Sequence, residues 1–512
     1  MPAVSLEKAA SPLILALDLG TSSFRALLFD RNGQAVEGTE EQRPHALRTT
    51  ADGGAEADPD ALVDLLIRCI DACLERSAGR VKDIAAVASS CFWHSLMGVD
   101  AAGRPATPLL MWADRRSAHQ ASTLESDLGP AVHDRVGAAF HSSYWPAKIR
   151  WLQETQPVTT DRVAQWMGFA EYADLRLCGS SAASIAMASG SGMLDVHNID
   201  WDPELLAALG VDKQTLPKLI DRNEPISPLI KEFAHRWSAL AKIPWYPSIG
   251  DGACANVGSG AVSPERVALS LGTSGAMRTI SPSVVGAEFD IPRGLWGYRL
   301  DREHMVVGGA TSNGGILLGW LRDLMGIKLD DVTMAEVDAM APDSHGLTLL
   351  PFVAGERFPP HVDSATGVIA GMTLATTPAA IVRAGMEAVA YRMGRIYDRL
   401  LPLAAQGHTI VANGGAILGS PTLLQMVADT LGHELIALPP DEEASGRGAA
   451  ILALHAAGHI PDLVSAPDPA AFADVRVFAP DPVQHRTYQA ALARQARLET
   501  TLYPEGLRRN EA

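Results

Sequence analysis

Residues 13–30 read LILALDLGTSSFRALLFD: two apolar runs separated by a short Gly/Thr/Ser segment, the pattern of a β-hairpin. Asp18 stands near the end of the first run, Gly20, Thr21, Ser22 and Ser23 make the turn, and Arg25 lies in the second run. A glycine there lets backbone approach a ligand closely, and successive N–H groups beside hydroxyls can cradle phosphate oxygens. Asp18 at the strand end can hold hydrated Mg²⁺, and Arg25 can offset phosphate charge. Hairpins of this composition are also common without a ligand. A near copy, VALSLGTSGAMRTI at 267–280, adds weight, with Gly272, Thr273, Ser274 and Gly275 in the turn and Arg278 beyond it. The two differ in register by one residue. Two phosphate-type hairpins about 250 residues apart predict two similar domains facing one nucleotide.

A chain of 512 residues exceeds one core and divides into at least two domains. Its formal net charge of -17 argues against nucleic acid and anionic membrane surfaces as partners. An anionic nucleotide remains compatible, because local N–H groups and Mg²⁺ dominate at such sites. Cys69, Cys73, Cys91, Cys178 and Cys254 are scattered with no CxxC pair, which fits free thiols in a reducing cytoplasm. The N-terminal stretch MPAVSLEKAASP lacks the features of a signal peptide, and no apolar run reaches the roughly 18 residues a membrane span needs.

Between the hairpins, Pro59 to Ala78 is amphipathic at helical spacing, and Ile84 to Ser90 is a buried strand that Met97 to Asp100 continues. Strand–helix–strand alternation argues for an α/β domain whose ligands gather beyond strand ends. His94 falls at such an end, where a lone histidine is usually structural. MWADRR at 111–116 follows a further apolar run and brings Trp112, Asp114 and Arg116. The segment SYWPAKIRWLQET at 143–155 reads as a helix with a Trp/Leu packing face that includes Trp145 and Lys148. Gly250-Asp251-Gly252 precedes an Ala/Val-rich helical run, so Asp251 is a carboxylate at a helix N-terminus, either an N-cap or a reacting group. Later, Asn313-Gly314-Gly315 opens a helix, and Gly414-Gly415 forms a strand–helix turn where a flat ring can lie on bare backbone.

The paired hairpins resemble the two phosphate motifs of the actin/hexokinase/sugar-kinase superfamily. The remaining motifs, including Gly355-Glu356-Arg357 with Pro359, resemble the FGGY carbohydrate kinases over nearly the whole chain. The chain departs from the family signatures at Trp145, Ala380 and Gly385, and Phe92-Trp93 match neither the gluconate-kinase nor the ketose-kinase branch well.

That resemblance implies two α/β domains of ribonuclease-H-like, actin/hexokinase-type build with a catalytic cleft between them. The expected bounds are 11–248 on the sugar side, 249–460 on the ATP side, and a helical tail over 461–512. It implies an ATP-dependent sugar kinase in which Asp251 is the base and Asp18 positions Mg²⁺. Gly20, Thr21, Ser22, Arg25, Gly272, Thr273, Ser274, Gly315, Gly414 and Gly415 would serve ATP. His94, Trp112, Asp114, Arg116 and Asp251 would line the acceptor pocket. The motifs look closest to the gluconate-kinase branch, with a ketose or polyol as the next acceptor, and dimers are frequent in the family. Arg116 and His94 are the expected partners of a sugar-acid carboxylate, with Lys148 behind them. The alternative is a sugar-responsive regulator or actin-like ATPase that keeps the fold without the kinase chemistry.

Overall fold

The computed structural model describes residues 3–328, 331–356, 365–439, 443–472 and 474–504. Arg357 and Pro359 of the Gly-Glu-Arg-x-Pro loop lie outside those residues. Among the described residues no helix is long and apolar enough to cross a membrane.

The first hairpin forms strands β1 (Leu13–Leu19) and β2 (Ser23–Phe29), with β3 (Glu41–Pro44) antiparallel to β2. Helix α1 (Pro59–Arg76) begins at Asp58, whose carboxylate accepts from the Asp60 and Ala61 N–H groups, and buries its Leu62, Leu66, Cys69, Ile70 and Cys73 face. Strand β4 (Ile84–Cys91) returns parallel to β1, and the short β5 (Ile249–Gly250) adds parallel to β4, giving the order β5-β4-β1-β2-β3.

The second hairpin repeats this plan. Strands β6 (Arg266–Leu271) and β7 (Gly275–Pro282) pair antiparallel, and β8 (Trp296–Arg299) and β9 (His304–Thr311) extend the antiparallel edge. On the other side β10 (Thr409–Asn413) and β11 (Leu435–Ala437) are parallel, and β12 (Arg476–Phe478) closes the seven-stranded sheet. The one-residue difference between the hairpins is visible in the pairing. Leu19 partners Phe24 across the first turn, whereas Leu271 partners Gly275 across the second.

Met97–Val99 does not continue β4, contrary to expectation. It pairs with Gln165–Met167 in a separate two-stranded sheet. The reason is local: His94 takes a left-handed backbone at φ 68, which turns the chain out of the strand.

Helix α2 (Asp251–Gly258) follows β5 directly and packs backbone to backbone on α3 (Ala444–Ala456). A Cβ at Gly258 would lie 1.8 Å from the Ala444 carbonyl oxygen, and one at Gly448 would lie 1.9 Å from that of Cys254. Only glycine permits this approach. The same core holds Ala253, Cys254 and Val257 of α2, the apolar residues of β1 and β4, and Ala449 to Leu454 of α3. A helix late in the chain thus buttresses the helix that carries Asp251.

Candidate active site

Residues at or just beyond the carboxyl ends of β1, β4, β5, β6 and β9 line one space, where α/β sheets bind ligands. Between them lies a cavity of about 320 Å³, within the range of small-ligand sites. Of the residues expected from sequence, Thr21, His94, Trp112, Asp251 and Ser274 line it.

Asp251 is the first residue of α2. Gly250, with extended backbone, occupies the cap position, so the N-cap role considered for Asp251 does not apply. Its Oδ1 accepts from the Gly252 N–H at 2.7 Å. Trp112 connects the two parts of the site, because its indole N–H donates to the Thr21 hydroxyl at 3.0 Å. The Ser143 hydroxyl donates to the Trp112 carbonyl at 2.8 Å and fixes that segment. The His94 Nδ1–H donates to the Gly190 carbonyl, which orients the ring.

Asp18 pairs in register with Arg25. Burial pushes its carboxyl up, and Arg25 and the Ser90 hydroxyl pull it down. The Cys91 and Cys254 thiols are pushed well up, mainly by burial, and both feel the charges of Asp18 and Asp251, so the two carboxylates occupy one neighbourhood. Arg25 itself pairs with Glu40 at 3.0 Å and with Glu443, so its guanidinium is committed to carboxylates of β2's surroundings. Such pairing leaves the phosphate role expected of Arg25 to backbone N–H groups and hydroxyls.

The glycines of the second half converge. The Gly315 N–H donates to the Gly272 carbonyl at 2.7 Å, and a Cβ at Gly315 would lie 2.8 Å from that of Ala416. Gly414, at φ 98, sits on the Leu271 backbone, while a Cβ at Gly272 or Gly415 would meet nothing within 4 Å. Those two positions present open backbone. Thr273 is exposed, and its carbonyl accepts from the Gly314 and Ile316 N–H groups, which ties the turn to the helix at Gly315–Met325.

Asp114 and Arg116 depart from expectation and are absent from the cavity wall. The Arg116 guanidinium bonds to Asp114 at 2.6 Å and Glu56 at 2.7 Å, and stacks on Trp151 with its central carbon 4.4 Å from the ring centroid. Asp114 also accepts from the Ala55 N–H at 3.0 Å. Two neighbouring carboxylates neutralise this arginine, which leaves it a buried link between the 55–57 strand and the 112–116 segment. Lys148 likewise points into protein: its ammonium donates to the His94 carbonyl oxygen at 2.7 Å, and burial pushes it down to about 7 against the raising influence of Asp114.

Sequence reasoning missed the wall built by the second half of the chain. Arg278, Trp296 and Tyr298 line the cavity from β7 and β8. The Tyr298 hydroxyl meets that of Tyr144 at 2.5 Å, and Trp296 stacks on Tyr298 with centroids 4.5 Å apart. The alternating LWGYR at 295–299 was the signal, since two aromatics two apart project from one strand face. Trp93 also belongs to the wall. Its indole fills the space that side chains would need at Gly190, Gly250 and Gly252, with a Cβ at Gly250 only 1.8 Å from the ring. The Trp93 N–H donates to the Ala186 carbonyl at 3.1 Å.

Comparison with known proteins agrees with this arrangement. Residues 13–258 match the N-terminal domain of the FGGY family of carbohydrate kinases, and residues 267–457 match its C-terminal domain. The chain is 29% identical over 459 residues to a gluconokinase of Bacillus subtilis (strain 168), covering 87% of this chain and 88% of the relative. It is 26% identical over 449 residues to a xylulose kinase of Escherichia coli (strain K12), covering 87% and 90%. The crystal structure of a gluconate kinase from Lactobacillus acidophilus superposes with a TM-score of 0.87 at 26% identity, over 96% of this chain and 98% of that one. A ligand-bound xylulose kinase from the same organism gives 0.88 at 26% identity over the same shares. Two sheets of one plan, a shared cleft and both domain matches together make the chain a member of the FGGY family of carbohydrate kinases, an ATP-dependent sugar kinase.

Proposed function

We propose that the chain phosphorylates a small sugar acid of the gluconate type, with Asp251 as the base. The observation that carries the proposal is the position of Asp251 in the wall of one cavity with Thr21 of the first turn and Ser274 of the second. The acceptor hydroxyl lies against Asp251, which takes its proton as the oxygen attacks the γ-phosphorus and the bond from that phosphorus to the β–γ bridging oxygen breaks, releasing ADP. Backbone N–H groups of residues 21–22 and 273–274, with the hydroxyls of Thr21, Ser22, Thr273 and Ser274, hold the β- and γ-phosphates. The open backbone at Gly415, with Gly315 and Gly414 beside it, receives the adenosine end. Such a reaction needs positioning and charge neutralisation rather than covalent catalysis.

Asp18 fits a Mg²⁺ ion by its chemistry: a hard oxygen donor whose enclosure disfavours an uncompensated charge. When bound there, the ion would neutralise phosphate charge during transfer. On the acceptor side, Trp112 and Tyr144 offer apolar faces, and Ser143, His94 and His141 offer polar atoms to hydroxyls. The preference for a sugar acid over a ketose draws on the similarity to gluconate kinases and on a cation in the wall.

The test is ADP release measured against a panel of gluconate, other aldonates, xylulose, ribulose and polyols. Gluconate or another aldonate should give the highest kcat/KM. A neutral ketose or polyol preferred by about a hundredfold would overturn the acid acceptor and leave the kinase intact.

A further inference from the structure

We infer that Arg278 is the residue that selects a carboxylate-bearing acceptor, an inference that rests on the sugar-acid reading and names the group behind it. Among the described residues lining the cavity, Arg278 is the one arginine or lysine. A substrate carboxylate entering this cavity beside Asp251 is drawn partly out of water, and an anion so placed without a counter-charge is disfavoured. A guanidinium at the same wall supplies that counter-charge and offers a fork of donors that matches a carboxylate.

The position is built rather than incidental. Arg278 lies on β7, in register with Ala268 of β6 and Gly308 of β9. A Cβ at Gly308 would come within 2.8 Å of the Arg278 Cγ, and one at Gly252 within 3.1 Å of its Nε. Two glycines from separate elements therefore keep open the groove through which the arginine stem runs. The Gly252 contact sets the guanidinium next to the residue that follows Asp251. Trp296 flanks it, with the guanidinium carbon 5.9 Å from the ring, and Nη1 donates to the Ser270 hydroxyl at 3.4 Å.

The experiment compares wild type, Arg278→Gln and Arg278→Lys, with kcat and KM for gluconate and for xylulose measured separately. Losing a hydrogen bond to a charged group should lower the gluconate-to-xylulose ratio of kcat/KM roughly 10- to 150-fold in Arg278→Gln, chiefly through KM for gluconate. Arg278→Lys should recover part of that ratio. Thermal unfolding with and without ATP reports whether each variant is folded, and if Arg278→Gln is not, Arg278→Lys decides alone, with a loss confined to gluconate. A fall in kcat of equal size for both acceptors would overturn the inference and assign Arg278 to the transferring phosphoryl group. An unchanged ratio would overturn it too. Wild type without any aldonate preference would instead remove the sugar-acid reading itself.

Discussion

The Lys148 ammonium donates to the carbonyl oxygen of His94 at 2.7 Å, at the point where the His94 backbone adopts φ 68. A non-glycine residue in the left-handed region costs energy and persists where surroundings hold it. Lys148 and the bond from His94 Nδ1 to Gly190 are that hold. Lys148→Met keeps the bulk and removes the donor. A carbonyl without its partner no longer holds the His94 backbone in place, so the variant should lose roughly tenfold in acceptor kcat/KM. Acceptor KM unchanged in Lys148→Met would show that the lysine does not position His94.

The same lysine makes stability depend on pH. Burial pushes it down to about 7, whereas the unfolded chain keeps the ordinary lysine value of 10.5. Between those values the unfolded chain binds more protons than the folded one, so the lysine's burial penalty shrinks as pH rises. Below about 7 both states are protonated and the penalty is complete. Urea unfolding at pH 7, 8.5 and 9.5 should show wild type gaining on Lys148→Met with rising pH. A flat or falling difference would place the Lys148 proton affinity near the usual value.

Asp251→Asn preserves shape and removes the base. It should lower kcat roughly 10²- to 10⁴-fold while ATP binding stays close to wild type. Retention of more than about a tenth of kcat would assign the proton elsewhere.

The fold was legible because both hairpins carry their pattern locally. The apolar runs of β1, β2, β6 and β7 are continuous in sequence, and the Gly-Thr-Ser turns punctuate them. The acceptor wall was not, because its charges are decided by partners distant in the chain. Arg116 sits in a motif with Asp114, but the carboxylate that completes its neutralisation is Glu56, 60 residues earlier. Arg278 reads as the tail of a phosphate hairpin until the spaces at Gly252 and Gly308 show where its stem can run. Trp93 is similar: its place depends on Gly190 and Gly250, neither of which is near it in sequence.

Arg116 now has a structural forecast in place of the acceptor role. Removing one partner of a largely buried ion pair leaves the others uncompensated, at a cost of about 3–5 kcal/mol. Arg116→Gln should therefore lower the melting temperature and reduce activity on gluconate and xylulose alike. A selective loss on gluconate, with stability intact, would return the carboxylate to Arg116.

Gly250 offers the sharpest test of the cavity's shape. A Cβ there would lie 1.8 Å from Trp93 Cε2 and 2.1 Å from its Nε1, so Gly250→Ala cannot be accommodated unless the indole moves. The indole is held by its bond to the Ala186 carbonyl and by an edge contact with Tyr298 at 5.0 Å. Trp93 lines the same cavity as Asp251, so its displacement would alter the acceptor wall. Overpacking of this kind costs about 1–3 kcal/mol, and here the strain falls on the acceptor wall rather than on the nucleotide turns. Gly250→Ala should raise acceptor KM by about tenfold or more while ATP still protects the protein against heat. A second change, Trp93→Phe, should relieve the clash and restore part of the acceptor affinity. If Gly250→Ala binds acceptor normally, Trp93 does not shape the pocket.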